Sequence, residues 1–232
     1  MNIVVIGAGP GLGMGVARAF GRRGFAVGLV ARDPGGLRAR HAELAALGVK
    51  AATAPADVRD PAALRAALDR LEDELGPADV VEYGPDPRGG PVLSAAATTP
   101  DAATAQVELL YLGALVAAER VLPAMTARGD GGLLLTTGAS GVVPMPVLGS
   151  AGPAMAALRN WALAAHAQLA PAGVYVGTVT VATAVQPGTE GDPDRIGDLY
   201  HDMWTRRDRA EETVGDLDAL RARFGTGRLG PS

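Results

Sequence analysis

Ile3-Val-Val-Ile-Gly7-Ala-Gly-Pro-Gly11-Leu-Gly13 is an apolar run that breaks into glycines as a helical stretch opens. A buried strand delivers the chain to a tight turn. Glycine there permits positive φ and lets backbone N–H groups approach an anion at a helix N-terminus. The bare G-x-G-x-x-G spacing fails, because Leu12 stands where the third glycine would be, whereas Gly7-x-x-x-Gly11-x-Gly13 fits. Such a turn can also join strand to helix with no ligand at all, so its surroundings decide the reading.

Outward from that turn, apolar runs alternate with Ala-, Leu- and Arg-rich segments, the pattern of repeated βα units around a parallel sheet. The reading places strands near 2–6, 25–31, 49–54, 78–83, 131–137 and 174–181. Helices are expected near 11–23, 35–47, 60–75, 101–127, 151–170 and 193–209. Asp60-Pro61 and Pro100-Asp101 are helix starts, and Gly48, Gly76, Gly129 and Gly173 supply left-handed stops. Two Gly- and Pro-rich stretches, 83–100 and 184–192, follow strand ends and are expected at the ligand edge of the sheet. One α/β domain over 1–232 is the default, with a loosely held tail over the last ten residues.

Composition narrows the class. The chain has 232 residues, 48% of them hydrophobic, and a formal charge of -4, which argues against nucleic acid as a partner. Zero cysteines exclude disulfides and thiolate chemistry, and fit a cytoplasmic setting. His41, His166 and His201 are too scattered for a metal cluster. A strand from residue 2 leaves no room for a signal peptide, and each long apolar stretch is interrupted by charges or helix breakers, so no membrane is expected.

The second strand ends in Arg32, about twenty residues past the glycines, where nucleotide-binding chains discriminate between cofactors. A guanidinium there favours a ribose 2′-phosphate through charge-assisted bonds. Asp33 next door would instead suit a free 2′-OH, so NADP(H) is preferred and NAD(H) stays possible. After the third strand, Asp57-Val58 falls where an adenine edge would lie.

Gly7-x-x-x-Gly11-x-Gly13, Arg32, Asp57-Val58, Leu122-Pro123-Ala-Met125 and Ala157-Leu158-Arg159 together resemble the short-chain dehydrogenases/reductases from residue 2 to about 182. The resemblance implies a doubly wound Rossmann fold with about seven parallel strands and helices on both faces. It also implies NAD(P) held at the strand C-termini by Gly7, Gly9, Gly11, Leu12, Gly13, Arg32, Asp57, Val58 and Gly84, and a homodimer or homotetramer. Dimer helices 101–127 and 149–170 would meet through Gly113, Ala117, Ala157 and Ala164, with His166 nearby.

The same resemblance exposes what is missing. The family's Asn, Ser, Tyr and Lys fall on Leu110, Gly138, Ala151 and Met155, and a one-residue slip gives only Ser150 and Ala154 for the last two. The single lysine is Lys50, and no tyrosine has a lysine four residues later. The family's Asn-Asn-Ala-Gly turn reads Glu82-Tyr83-Gly84-Pro85, Ile6 replaces a threonine, and a Pro-Gly has become Val181-Ala182.

Replacement candidates are few. Tyr83 is a proton donor near the nicotinamide position, or merely filler for the lost asparagines. Ser140 and Ser150 lie near the vacated serine and tyrosine sites. Tyr200 and Trp204 belong to segment 184–215, the substrate lid of relatives, and either wall a small-molecule pocket or anchor a helix. Arg206 to Glu212 reads as a solvated, ion-paired face. Three functions stay open: an oxidoreductase without the Ser-Tyr-Lys mechanism, a non-redox cyclase, isomerase or lyase, and an inactive nucleotide-binding module.

Overall fold

A computed structural model describes residues 1–224. Seven strands form one wholly parallel sheet: β1 (Asn2–Ile6), β2 (Ala26–Ala31), β3 (Ala51–Pro55), β4 (Val80–Tyr83), β5 (Gly131–Gly138), β6 (Val174–Ala182) and β7 (Glu211–Gly215). Their order is β3-β2-β1-β4-β5-β6-β7, so the chain winds one way from β1, then returns and winds the other. The break between β1 and β4 is the topological switch point, where such sheets bind ligands.

Helices cover both faces. On one side α1 (Leu12–Gly21), α2 (Pro34–Ala46) and α7 (Pro193–Arg206) bury Met14, Phe20, Leu37, Leu44, Ile196 and Tyr200 against the sheet. On the other lie α3 (Pro61–Leu75), α4 (Pro100–Val107), α5 (Gly113–Arg128) and α6 (Gly152–Leu169). α4 and α5 run together through a widened π turn, Glu108–Leu112. By length and apolar content the run Pro100–Arg128 could cross a bilayer, but Leu109, Leu110, Ala114, Ala118, Val121 and Met125 spend its apolar face on the protein's own core.

Helix starts follow the sequence signals. Asp33 and Asp60 each accept two backbone N–H bonds ahead of a proline, capping α2 and α3. The sequence missed two elements, β7 and α8 (Leu217–Phe224). Segment 206–212 is not simply a solvated face. α7 is capped after Arg206 by Arg207, whose φ is 53°, and Glu211 opens the seventh strand. There it pairs with Arg159 of α6 at 2.6 Å and accepts from Thr180 at 3.0 Å. The expected tail is helical as far as Phe224; its remainder lies outside the described residues.

α7 packs unusually close to α1. A Cβ added at Gly15 would lie 2.1 Å from the Pro193 carbonyl oxygen, and one at Gly197 would lie 2.4 Å from the Gly15 oxygen. Only glycine allows backbones to approach this way. Around the crossing, Arg18 pairs with Asp194 and Arg23 with Asp198.

Candidate nucleotide site

The C-terminal ends of β1, β2 and β4 surround a cavity of about 220 Å³ lined by Gly7, Gly9, Arg32, Ala56, Val58 and Leu109, among others. Gly7 has φ +95° and its Cα lies against the Gly84-Pro85 peptide; a side chain there would come within 2.6 Å of the Pro85 nitrogen. Gly11, Leu12 and Gly13 form the start of α1 and do not line this cavity. Val185 of the linker after β6 lies beside Gly11, 3.7 Å from where its Cβ would be.

Arg32 and Asp33 play separate parts. Asp33 accepts from Gly35 N–H and Gly36 N–H, each at 2.9 Å, and these bonds hold its carboxyl below the usual range. Its oxygens belong to the α2 cap. Arg32 is exposed on the cavity wall, with one 3.4 Å bond to the Gly89 carbonyl. Asp57 departs from expectation: Arg59 binds both its oxygens, with a closest approach of 2.6 Å, and Asp57 is not on the cavity wall. Of the residues after β3, Ala56 and Val58 line the cavity instead.

The residues expected at the four tetrad positions, Leu110, Gly138, Ala151 and Met155, carry no polar side chain. Leu110, Ala151 and Met155 are buried, and the Met155 methyl lies 4.0 Å from where a Gly138 Cβ would sit. No proton donor stands among them.

The replacement candidates fare differently. Tyr83 is a correction: its ring is buried under the π turn and its hydroxyl donates to the Leu109 carbonyl at 2.6 Å. Burial pushes its ionisation far above the ordinary phenol range, and the Asp57 charge adds to this. The side chain fills the core. Gly113 makes the room, since a Cβ there would lie 2.2 Å from the phenol oxygen.

Ser150 is also withdrawn from the pocket. It donates to the Pro91 carbonyl at 2.9 Å and accepts from Leu93 N–H at 2.8 Å, pinning the loop after β4. Gln106 holds the same loop through the Pro87 and Pro91 carbonyls. Ser140 alone of the pocket candidates faces a cavity, a second one of about 480 Å³ lined mainly by apolar groups, including Met145, Leu148, Pro153 and Phe224.

Tyr200 and Trp204 belong to the core rather than to a lid. α7 carries both inward, with Trp204 over Gly132 and the Tyr200 hydroxyl 2.6 Å from Thr136 Oγ1. Segment 184–215 is therefore a linker over 184–192, a packed helix and a strand. His166 is tied within its own subunit, its Nδ1 lying 2.7 Å from the Val176 carbonyl. Gly113 and Ala117, expected between subunits, face the protein's own core.

Sequence reasoning missed Glu82. Strand alternation turns it toward α1 and α7, where it is buried and accepts from Thr136 Oγ1 at 2.7 Å. Thr136 has a single proton, so Tyr200 must donate to Thr136 in turn. The other Glu82 oxygen has no partner among the described residues. Burial raises its pKa to about 8, which the Thr136 bond only partly offsets. The signal was an acid inside an otherwise apolar strand, Val80-Val-Glu82-Tyr83.

The switch-point cavity, glycine turn and doubly wound sheet define a Rossmann-type α/β fold, a class that binds dinucleotides at that point. The short chain dehydrogenase family model matches residues 1–190, and the chain belongs to that family. Glycine betaine reductase ATRR of Emericella nidulans is 30% identical over 185 residues, which cover 80% of this chain and 14% of that protein. Ketoacyl reductase HetN of Nostoc is 26% identical over 197 residues, covering 82% and 66% respectively. The chain thus spans only part of these curated relatives. Among solved structures, an NADPH-bound short chain oxidoreductase of Pseudomonas aeruginosa with an atypical catalytic centre is 25% identical, with a TM-score of 0.69 over 77% of this chain and 70% of that one.

Proposed function

We propose that the chain is a cytoplasmic NADP(H)-binding member of the short-chain family whose chemistry does not use the Ser-Tyr-Lys mechanism. The observation carrying the cofactor preference is the division of labour between Arg32 and Asp33. Both residues border the cavity, but the carboxylate that would suit a ribose 2′-OH is engaged in the α2 cap while the guanidinium has only a 3.4 Å bond to the Gly89 carbonyl. Gly7, Gly9, Ala56 and Val58 would hold the adenosine half. When bound, the nicotinamide would supply hydride; the chain's own residues at the tetrad positions neither donate a proton nor grip its ribose. Suitable substrates need little acid catalysis, such as an iminium or an activated alkene. That the solved Pseudomonas aeruginosa relative with an atypical centre binds NADPH supports this pairing.

A second reading, a nucleotide-binding module or a non-redox enzyme, is favoured by one observation. The cavity meant for adenosine carries Gly7 and Arg32, whereas Leu110, Gly138, Ala151 and Met155 at the tetrad positions offer no polar side chain. Calorimetric titration followed by a turnover assay separates the two. NADPH binding more tightly than NADH, the difference erased by Arg32→Ala, with NADPH then consumed by an iminium or activated alkene, supports the first. Binding without turnover supports the second, and binding of neither dinucleotide removes the first. The residual exposed surface of α6, including Ala164, is the proposed site of homodimer or homotetramer contact, to be checked by light scattering.

A further inference from the structure

We infer that Arg40 is a second specificity residue, joining Arg32 to read a phosphate on the ribose of an adenosine nucleotide; this rests on the adenosine-site reading above. Arg40 lies one helical turn past Gly36 on α2. Helical side chains lean toward the N-terminus, so residue 40 reaches back over position 36. Gly36 has no side chain to obstruct it, and a Cβ there would lie 2.6 Å from Arg40 Nη1. The guanidinium thereby reaches the wall of the same 220 Å³ cavity as Arg32.

Its environment is that of a cation awaiting an anion. Arg40 Nε is buried with no hydrogen-bond partner, and neither Arg40 nor Arg32 has an ion-pair partner among the described residues. The acids whose charges reach them are already engaged. Asp33, beside Arg40, accepts the N–H groups of the α2 cap, and Asp57, near Arg32, is bound by Arg59. Two guanidiniums on the wall of one small cavity repel each other, and a dianionic phosphate between them would relieve that repulsion. The shared chemistry is an adenosine carrying a ribose phosphate, whether part of a dinucleotide or a free mononucleotide.

The test measures binding of adenosine 2′,5′-bisphosphate, 5′-AMP, NADPH and NADH to the parent, Arg32→Ala, Arg40→Ala and Arg40→Lys proteins. We expect Arg40→Ala to weaken the bisphosphate and NADPH by about tenfold or more, as for a lost bond to a charged group. The two ligands without the extra phosphate should change less than about twofold, and Arg40→Lys should recover part of the loss. The bisphosphate without NADPH binding would identify a mononucleotide as the ligand and keep the inference. A parent that discriminates, with Arg32→Ala abolishing discrimination and Arg40→Ala leaving it intact, overturns the role of Arg40 alone. A parent that ignores the ribose phosphate overturns both readings. Melting temperatures within a degree or two of the parent confirm that the variants fold.

Discussion

The Tyr83 hydroxyl donates to the Leu109 carbonyl across 2.6 Å, at the turn where α4 widens into α5. A π turn leaves a carbonyl without its usual helical donor, and the phenol supplies one from the neighbouring strand. The residue that sequence offered as a proton donor is therefore a brace.

Tyr83→Phe should lower stability by about 1–3 kcal/mol, the cost of leaving a buried acceptor unmet. Nucleotide affinity should stay within about twofold of the parent, since the ring still fills the space beside Gly113. Urea denaturation and a binding titration check both halves. Lost binding with unchanged stability would return Tyr83 to the site.

Glu82 gives the protein a pH signature. Its folded pKa, raised to about 8 by burial, exceeds the ordinary value of 4.5, so the folded state holds a proton that the unfolded state releases. The stability present below about pH 4.5 is thus lost progressively as pH rises toward 8, by at most about 1.4 kcal/mol per unit from this group. Glu82→Gln should flatten that slope and raise the melting temperature at pH 8. A slope unchanged in the variant would show that Glu82 is not its source.

Ketone reduction by the family mechanism should be absent. A general acid contributes about 10²–10⁴-fold, and Leu110, Gly138, Ala151 and Met155 supply none. NADPH should persist with simple ketones and aldehydes, monitored by absorbance, and be consumed only with a substrate needing little protonation. Rapid ketone-dependent oxidation would show that some other group protonates the substrate.

Gly197→Ala should destabilise by about 1–3 kcal/mol or more, because the new methyl would meet the Gly15 backbone at 2.4 Å, where no flexible side chain can yield. A melting curve reads this directly. An unchanged midpoint would mean that α7 shifts at little cost.

The six strands of the core were legible because each is an apolar run bounded by glycine, proline or a capping aspartate. β7 was not, since Glu211-Glu-Thr-Val-Gly215 carries two acids and sits at the sheet edge, where pairing with β6 rather than burial makes the strand. The place of Arg32 on the cavity wall was readable from position alone. What Asp33 and Asp57 bind was not, because each has a local partner that spacing only hints at. The inward turn of Tyr200 and Trp204 needed the Gly15–Gly197 crossing, a contact between residues too far apart for any pattern to show.

That crossing also orders events in time. It joins α1 to α7, so α1 lacks its packing partner until the strands and helices between them have been made. Long-range contacts of this kind form late, after the loop-closure entropy between them has been met. The glycine turn is thus written first and finished near the end. An amino-terminal fragment ending before α7 would leave Met14 and Phe20 bare, exposing apolar surface that favours aggregation over folding.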